Sequence, residues 1–271
     1  MQVLIDSNTK VVTVTAASNM IGTKLPLEII SKFAREVEAY YVVDAVHHAP
    51  HGPIDIKKID CDFLNFSMYK LFGPHGSFMY AKQECIENLT PFKVKPSKNY
   101  GPFKWESGTR NQAMFAAIVG VMDHFLWLAE EIKPKFDGLL MEYKDARRDL
   151  KIAMNGIEKY LQGLSKAVLE GIDDIPGLLD IRNVKVYGLT DCKRLNERDP
   201  TFSFAVDNIP HAKVVERLWK KGGIATRAGN FYSYAQEVYN QLEIIRISLV
   251  HYNTIEELRI FLQTLNTICI S

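Results

Sequence analysis

Short β-branched runs dominate the first third of the chain, and longer helical stripes follow them. "VVTVTAA" (11–17) predicts a buried strand. In "LPLEIISKFAREVEA" (25–39), Ile29, Ile30, Phe33 and Val37 recur at helical spacing, and Pro26 suits a first turn. "YYVVDAV" (40–46) is the next strand, completing a βαβ unit whose parallel pairing needs the crossover. "DFLNFS" (62–67) and "SFMYAK" (77–82) predict two more strands around a loop holding Gly73, Pro74 and Gly76. "NQAMFAAIVGVMDHFLWLAEE" (111–131) predicts one long apolar-striped helix that stops before Pro134. A second helix, 136–164, carries its charges on one face and reads as a connector between domains. Beyond it, strands "TFSFAVD" (201–207) and "EIIRISLV" (243–250) mix with helices 211–223 and 254–268, the first ending at a glycine stop. That mixture predicts a small α+β domain, with "DCKRLNERD" (191–199) as a polar loop.

The fold class expected is therefore α/β, with a mostly parallel sheet followed by the smaller domain. Composition narrows the class further. With 271 residues, 47% hydrophobic and 24% charged, the chain suits a globular protein with a sizeable core. A net charge of +1 with scattered basic residues gives no footprint for nucleic acid. Cys61, Cys85, Cys192 and Cys269 form no CxxC, which reads as reduced thiols in an intracellular protein. No apolar run is read as reaching membrane length, and "MQVLIDSNTK" lacks a signal-peptide core. A cytoplasmic protein without a membrane partner is the expectation.

Candidate chemistry lies where the parallel strands end, since ligands of open parallel sheets bind at carboxyl edges. The first strand ends at Ser18 and Asn19, the second at Asp44 with His47 beyond it, and the third at Ser67, Tyr69 and Lys70. A lysine beside an acid across adjacent strands is most often a salt bridge. The other reading is pyridoxal phosphate, which needs a lysine for a Schiff base, a carboxylate at its ring nitrogen, and donors for its phosphate. "HHAPH" brings His47, His48 and His51 close to Asp44 in sequence. Adjacent histidines on an extended chain point to opposite sides, so no metal site is expected.

"VVDAVHHAPHGPIDIKKIDCDFLNFSMYKLFGPHG" resembles the cofactor-lysine region of class V aminotransferases, the group that includes cysteine desulfurases. "AASNMIGT", "WESGTRNQ" and "IIRISLVHYNTIEEL" fit the same family in the same order. The resemblance implies fold type I: a large domain over 1–135, a connecting helix over 136–165, and a small C-terminal domain over 166–271. It implies a pyridoxal-phosphate transferase or lyase acting on a small amino acid, working as a homodimer with shared active sites. Lys70 is then the catalytic Schiff-base lysine and Asp44 the partner of the ring nitrogen. Asn19 and His47 approach the ring oxygen, and Ser67 binds phosphate. Tyr69 stands where desulfurases carry a phosphate-touching histidine, and Thr109 reaches the partner subunit's phosphate. Arg246 clamps the substrate carboxylate, assisted by Arg227.

Two departures shape this expectation. Tyr232, in "TRAGNFYSYAQ", occupies the position of the desulfurases' sulfur-accepting cysteine, so persulfide chemistry is not expected. The family also carries a large upstream block that this chain lacks. The alternative is thus a truncated, non-catalytic homologue with impaired cofactor binding.

Overall fold

The computed structural model describes residues 4–106 and 108–270, apart from the side chains of 235 and 236. The chain divides into two compact units. Unit one holds Met1–Ala16 and Pro26–Met154, and unit two holds Ala17–Leu25 and Asn155–Ser271.

In unit one, β1 (Val11–Thr15), α1 (Leu27–Glu36), β2 (Tyr40–Asp44), α2 (Ile56–Ile59), β3 (Phe63–Ser67) and β4 (Ser77–Ala81) follow in order. The sheet order is β1-β2-β3-β4. The first three strands are parallel and β4 runs antiparallel. Because the order is sequential, same-handed crossovers bring α1 and α2 to one face of the sheet. That face is packed: Val12, Val14, Tyr41, Val43 and Leu64 are buried. On the other face Val11, Tyr40 and Met79 are exposed, so β1 alternates rather than lying buried on both sides as the sequence suggests. Ile29 also turns outward, and α1 buries Ile30, Ser31 and Ala34 instead.

Strand register is pinned by a buried carboxylate. Asp62 accepts the Tyr41 backbone N–H at 2.7 Å and both terminal nitrogens of Arg35 at 2.9 Å. Lys82 lies 3.3 Å away. Burial alone would raise the Asp62 pKa, but Arg35, the Tyr41 amide and Lys82 together hold it below the ordinary carboxylate range.

After α3 (Gln83–Asn88) comes α4 (Gln112–Ile132), capped by the Asn111 side chain. With the turn behind it, 112–136, this helix is long and apolar enough to cross a membrane by length and composition. Its best 18-residue window has a mean hydropathy of 1.4 and is 17% buried. This corrects the expectation that no run reaches that length: the single charge at Asp123 interrupts the run without lowering its average below a spanning value. α5 (Asp145–Glu170) starts later than the predicted 136, because Gly138 (φ 70) and Leu140 (φ 55) adopt left-handed turns first. The unit boundary falls inside α5.

Unit two contains the short hairpin β5 (Gly171–Ile172) and β6 (Ile175–Pro176). There follow β7 (Val184–Tyr187), β8 (Thr201–Val206), α6 (His211–Gly222), β9 (Arg227–Gly229), α7 (Ala235–Val238), β10 (Ile244–Ser248) and α8 (Ile255–Ile270). Its sheet, β7-β8-β10-β9, is antiparallel throughout. Every residue of β8 is buried, and α6 and α8 add Val214, Leu218, Leu262 and Leu265 to the core. Gly223, at φ 65, ends α6 as expected. The polar stretch 191–199, expected as a loop, contains a 3-10 segment at Cys192–Glu197. β7 and β9 are too short to show a period in sequence.

The segment 17–25 follows β1 in sequence but is built into unit two. Thr23 bridges to Arg198, and Asp199 N–H donates to the Gly22 carbonyl at 2.8 Å. Ser203 Oγ donates to the Met20 carbonyl. Gly22 is required here: its φ is 74, and a Cβ would collide with the Asp199 and Thr201 carbonyls.

Candidate active site

The residues around Lys70 lie in unit one. The register places Thr15, Asp44 and Asn65 side by side on the open face of the sheet. Ala16 N–H donates to the Asp44 carbonyl at 2.7 Å, and Ala45 N–H to the Asn65 carbonyl at 2.8 Å, holding the strand ends in line. The exposed Asp44 side chain accepts the Val46 N–H at 2.9 Å through Oδ1.

β3 ends at the buried Ser67. Lys70 therefore does not end the strand, as the sequence suggests, but sits in a single 3-10 turn, Met68–Leu71. Tyr69 and Lys70 are both exposed there, with Lys70 Nζ 5.7 Å from the Tyr69 ring centroid. His75 stacks on Tyr69 at 5.0 Å. The turn closes through Gly73 N–H to the Met68 carbonyl and Met68 N–H to the Gly76 carbonyl, each 2.9 Å. It is Phe72 (φ 65) that turns the chain in the left-handed region; Gly73 and Gly76 do not. Gly76 instead lies against the Met114 side chain of α4, which would have to shift to admit a Cβ.

The histidine stretch is not extended. Turns formed by Ala49 N–H to the Ala45 carbonyl and His51 N–H to the His48 carbonyl bring the His47 and His51 rings to 5.1 Å. The geometric premise that set these side chains on opposite sides is thereby corrected. Thr109 is exposed just ahead of α4. It lines a cavity of about 680 Å³ with Lys98, Phe103, Arg110 and Gln112, and none of the residues around Lys70 lines that cavity.

The arginine half lies in unit two. Arg246 in β10 is the cross-strand partner of Arg227 in β9. Like charges directly opposed are unfavourable, and among the described residues neither arginine is ion-paired. Burial first, and the Arg227 charge second, lower the Arg246 pKa from its ordinary value. Arg246 Nη1 donates to the Asn19 carbonyl at 2.7 Å, and Asn19 Nδ2 donates to the Phe231 carbonyl at 2.9 Å. The structure thus brings Asn19, Arg227 and Arg246 together, although 227 positions separate Asn19 from Arg246.

Arg198, missed by sequence reasoning, supports this group. It is buried over the Phe202 ring at 3.9 Å and donates to the Leu189 carbonyl and, at 2.5 Å, to the Thr201 carbonyl. Burial pulls its pKa down to about 10. An arginine inside a run of charges carries no sequence signal of burial.

None of the four cysteines falls in the stretch 226–236. Burial pushes the Cys61, Cys192 and Cys269 thiols up to about 11 and raises Cys85 as well, so all stay protonated near neutrality. Tyr232 is fully exposed.

Comparison with known proteins decides the family. The model of the class V aminotransferases matches residues 1–136 and 146–261. The chain belongs to the class V aminotransferase family. A probable cysteine desulfurase of Borreliella burgdorferi is 31% identical over 278 residues, covering 96% of this chain and 58% of that protein. An aminotransferase-like protein of Gibberella zeae is 29% identical over 262 residues, again covering 58% of the relative. The apo cysteine desulfurase of Thermococcus onnurineus NA1 superposes with a TM-score of 0.72 at 23% identity, over 96% of this chain and 60% of that one. The Escherichia coli cysteine desulfurase CsdA gives 0.71 at 22% identity. The fold is therefore that of these fold type I proteins, and this member of the family spans about 58% of the length of the curated relatives it matches.

Proposed function

We propose that this class V aminotransferase homologue is a pyridoxal-phosphate enzyme acting on an amino acid. The observation that supports it most is the opposed pair Arg227 and Arg246, like charges in register without a carboxylate partner among the described residues. Such a pair is stabilised by an anion, and a guanidinium fork suits a substrate carboxylate.

The donor set of unit one fits the cofactor. Lys70 offers an exposed amine, Asp44 an exposed carboxylate and Ser67 a hydroxyl. When bound, pyridoxal phosphate supplies an electron sink for the pair released at the substrate α-carbon. In this reading Lys70 would hold the group covalently and, once the substrate amine had displaced it, its freed Nζ would move the α-proton. Asp44 would keep the ring nitrogen protonated, Ser67 and Tyr69 would hold the phosphate, and His47 and Asn19 would serve the ring oxygen. Arg246, with Arg227, orients the substrate by its carboxylate. Thr109 serves the partner subunit in a cytoplasmic homodimer, a role supported by the exposed apolar side chains Phe115, Val119, Met122 and Trp127 on α4. Chemistry through a protein persulfide is not part of the proposal, because Tyr232 is a phenol and the thiols are buried or raised.

A second reading, a non-catalytic homologue with impaired cofactor binding, is favoured by the open sheet face at Val11, Tyr40 and Met79. The two are separated by supplying pyridoxal phosphate and following visible absorbance on adding amino acids or the matching amines without a carboxylate. The proposal expects a response to amino acids alone, lost in Arg246→Ala. Equal responses to amino acids and amines would contradict it.

A further inference from the structure

Phe231 meets both groups assigned to substrate recognition. Its ring centroid lies 3.9 Å from the Arg246 guanidinium carbon, and its backbone carbonyl accepts Asn19 Nδ2 at 2.9 Å. The same arginine donates Nη1 to the Asn19 carbonyl at 2.7 Å, closing a three-residue ring of contacts. Phe231 is itself fixed, buried against Met20, Tyr187, Ala205 and Ile244.

Its backbone is strained in a way packing alone does not require. Phe231 and Tyr232 both stand at φ 54, a left-handed setting uncommon for aromatic residues in succession. Asn230 supports the turn: its Oδ1 accepts the Tyr232 N–H at 3.1 Å, and its carbonyl accepts the Ser233 N–H at 3.0 Å. In this setting the Phe231 carbonyl takes the Asn19 amide while the ring stays beneath the arginine. The next side chain, Tyr232, is left in solvent.

We infer that Phe231 is a positioning residue for the carboxylate clamp, its ring carrying the Arg246 guanidinium and its carbonyl setting the Asn19 amide. A guanidinium stacked on a ring and tied at Nη1 has lost most of its rotational freedom before an anion arrives. The ordering cost of binding is correspondingly reduced. The aromatic face also neutralises part of the repulsion between Arg246 and Arg227 without placing a carboxylate that would compete with substrate. The inference rests on the amino-acid reading of this site.

The test uses the full chain labelled with 15N-arginine. The Arg246 Nε–H resonance is identified by its loss in Arg246→Lys. L-Alanine is the probe, with methylammonium chloride at equal ionic strength as the control. The ring beneath the guanidinium predicts an upfield shift of this resonance in the unmodified chain, and Phe231→Leu removes it. Alanine, but not methylammonium, moves the resonance saturably, with affinity about fivefold weaker in Phe231→Leu. Phe231→Tyr restores affinity to within about twofold of the unmodified chain.

Alanine binding unchanged in a folded Phe231→Leu chain, or a folded Phe231→Tyr chain that fails to restore it, overturns the role of Phe231 alone. A complete lack of alanine-dependent shift in the unmodified chain removes the amino-acid reading and the role of Phe231 with it. If Phe231→Leu does not fold, the unmodified chain still decides, since an Arg246 resonance without the upfield shift shows that the ring does not carry the guanidinium.

Discussion

Lys70 sits in an exposed turn closed by residues within a few positions of it, whereas Arg246 is tied to a residue 227 positions away. The lysine half depends on strand register: Asp62 sets β2 against β3, and the turn after β3 presents Tyr69 and Lys70 to solvent. The arginine half depends on long-range clamps. Arg198 and Arg246 each stack on a phenylalanine at 3.9 Å; Arg246 donates to the distant Asn19 carbonyl, whereas Arg198 donates to the Thr201 carbonyl three positions on. The Arg246 guanidinium is thus held in place by tertiary structure, and Lys70 is left exposed in a local turn.

The contrast predicts where substitutions hurt. Gly22→Val should be the most damaging, because it adds left-handed strain to a collision with two carbonyls. A loss of about 3 kcal/mol or more is expected in urea unfolding, together with loss of anion binding at Arg246. A cost below about 1 kcal/mol would show that the 17–25 segment is not stapled as described. Asp62→Asn should cost about 1–2 kcal/mol at neutral pH, because Arg35 loses its buried partner but is partly exposed and keeps its pairing with Asp60. Its pH dependence has a definite sign. The folded-state pKa of Asp62 is depressed, so its contribution is present above the unfolded carboxylate value and lost as pH falls through the folded one. The gap between the original chain and Asp62→Asn should therefore close below about pH 4. A gap independent of pH would contradict the charge-based account.

Smaller effects sharpen the comparison. Gly76→Ala forces Met114 aside and should cost about 1 kcal/mol. It should slow covalent trapping at Lys70 and leave anion binding at Arg246 unchanged. A change in the second without the first would reverse the division of labour drawn between the halves.

Much of this was legible in sequence for a physical reason. β1, β2, β3, β8 and β10 declare themselves by short runs of β-branched or aromatic residues, and α4, α6 and α8 by helical spacing, because each buries a face made of its own neighbours. The positions of Asp44 and Ser67 follow from where those runs stop, whereas Lys70 lies in the turn beyond. The membership of 17–25 in unit two did not show, since its partners at Arg198, Asp199 and Ser203 lie in an unrelated stretch. The role of Gly76 was hidden likewise, because proximity to Met114 leaves no local pattern. Phe231 read as one aromatic among several, and only its pairing with Arg246 and Asn19 separates it from Tyr232 and Tyr234.

The most direct test of the account is borohydride reduction of the purified chain with added pyridoxal phosphate, followed by peptide mapping. The account predicts one reduced adduct, on Lys70, that disappears in Lys70→Ala. An adduct spread over several lysines, or one that persists in Lys70→Ala, would contradict it.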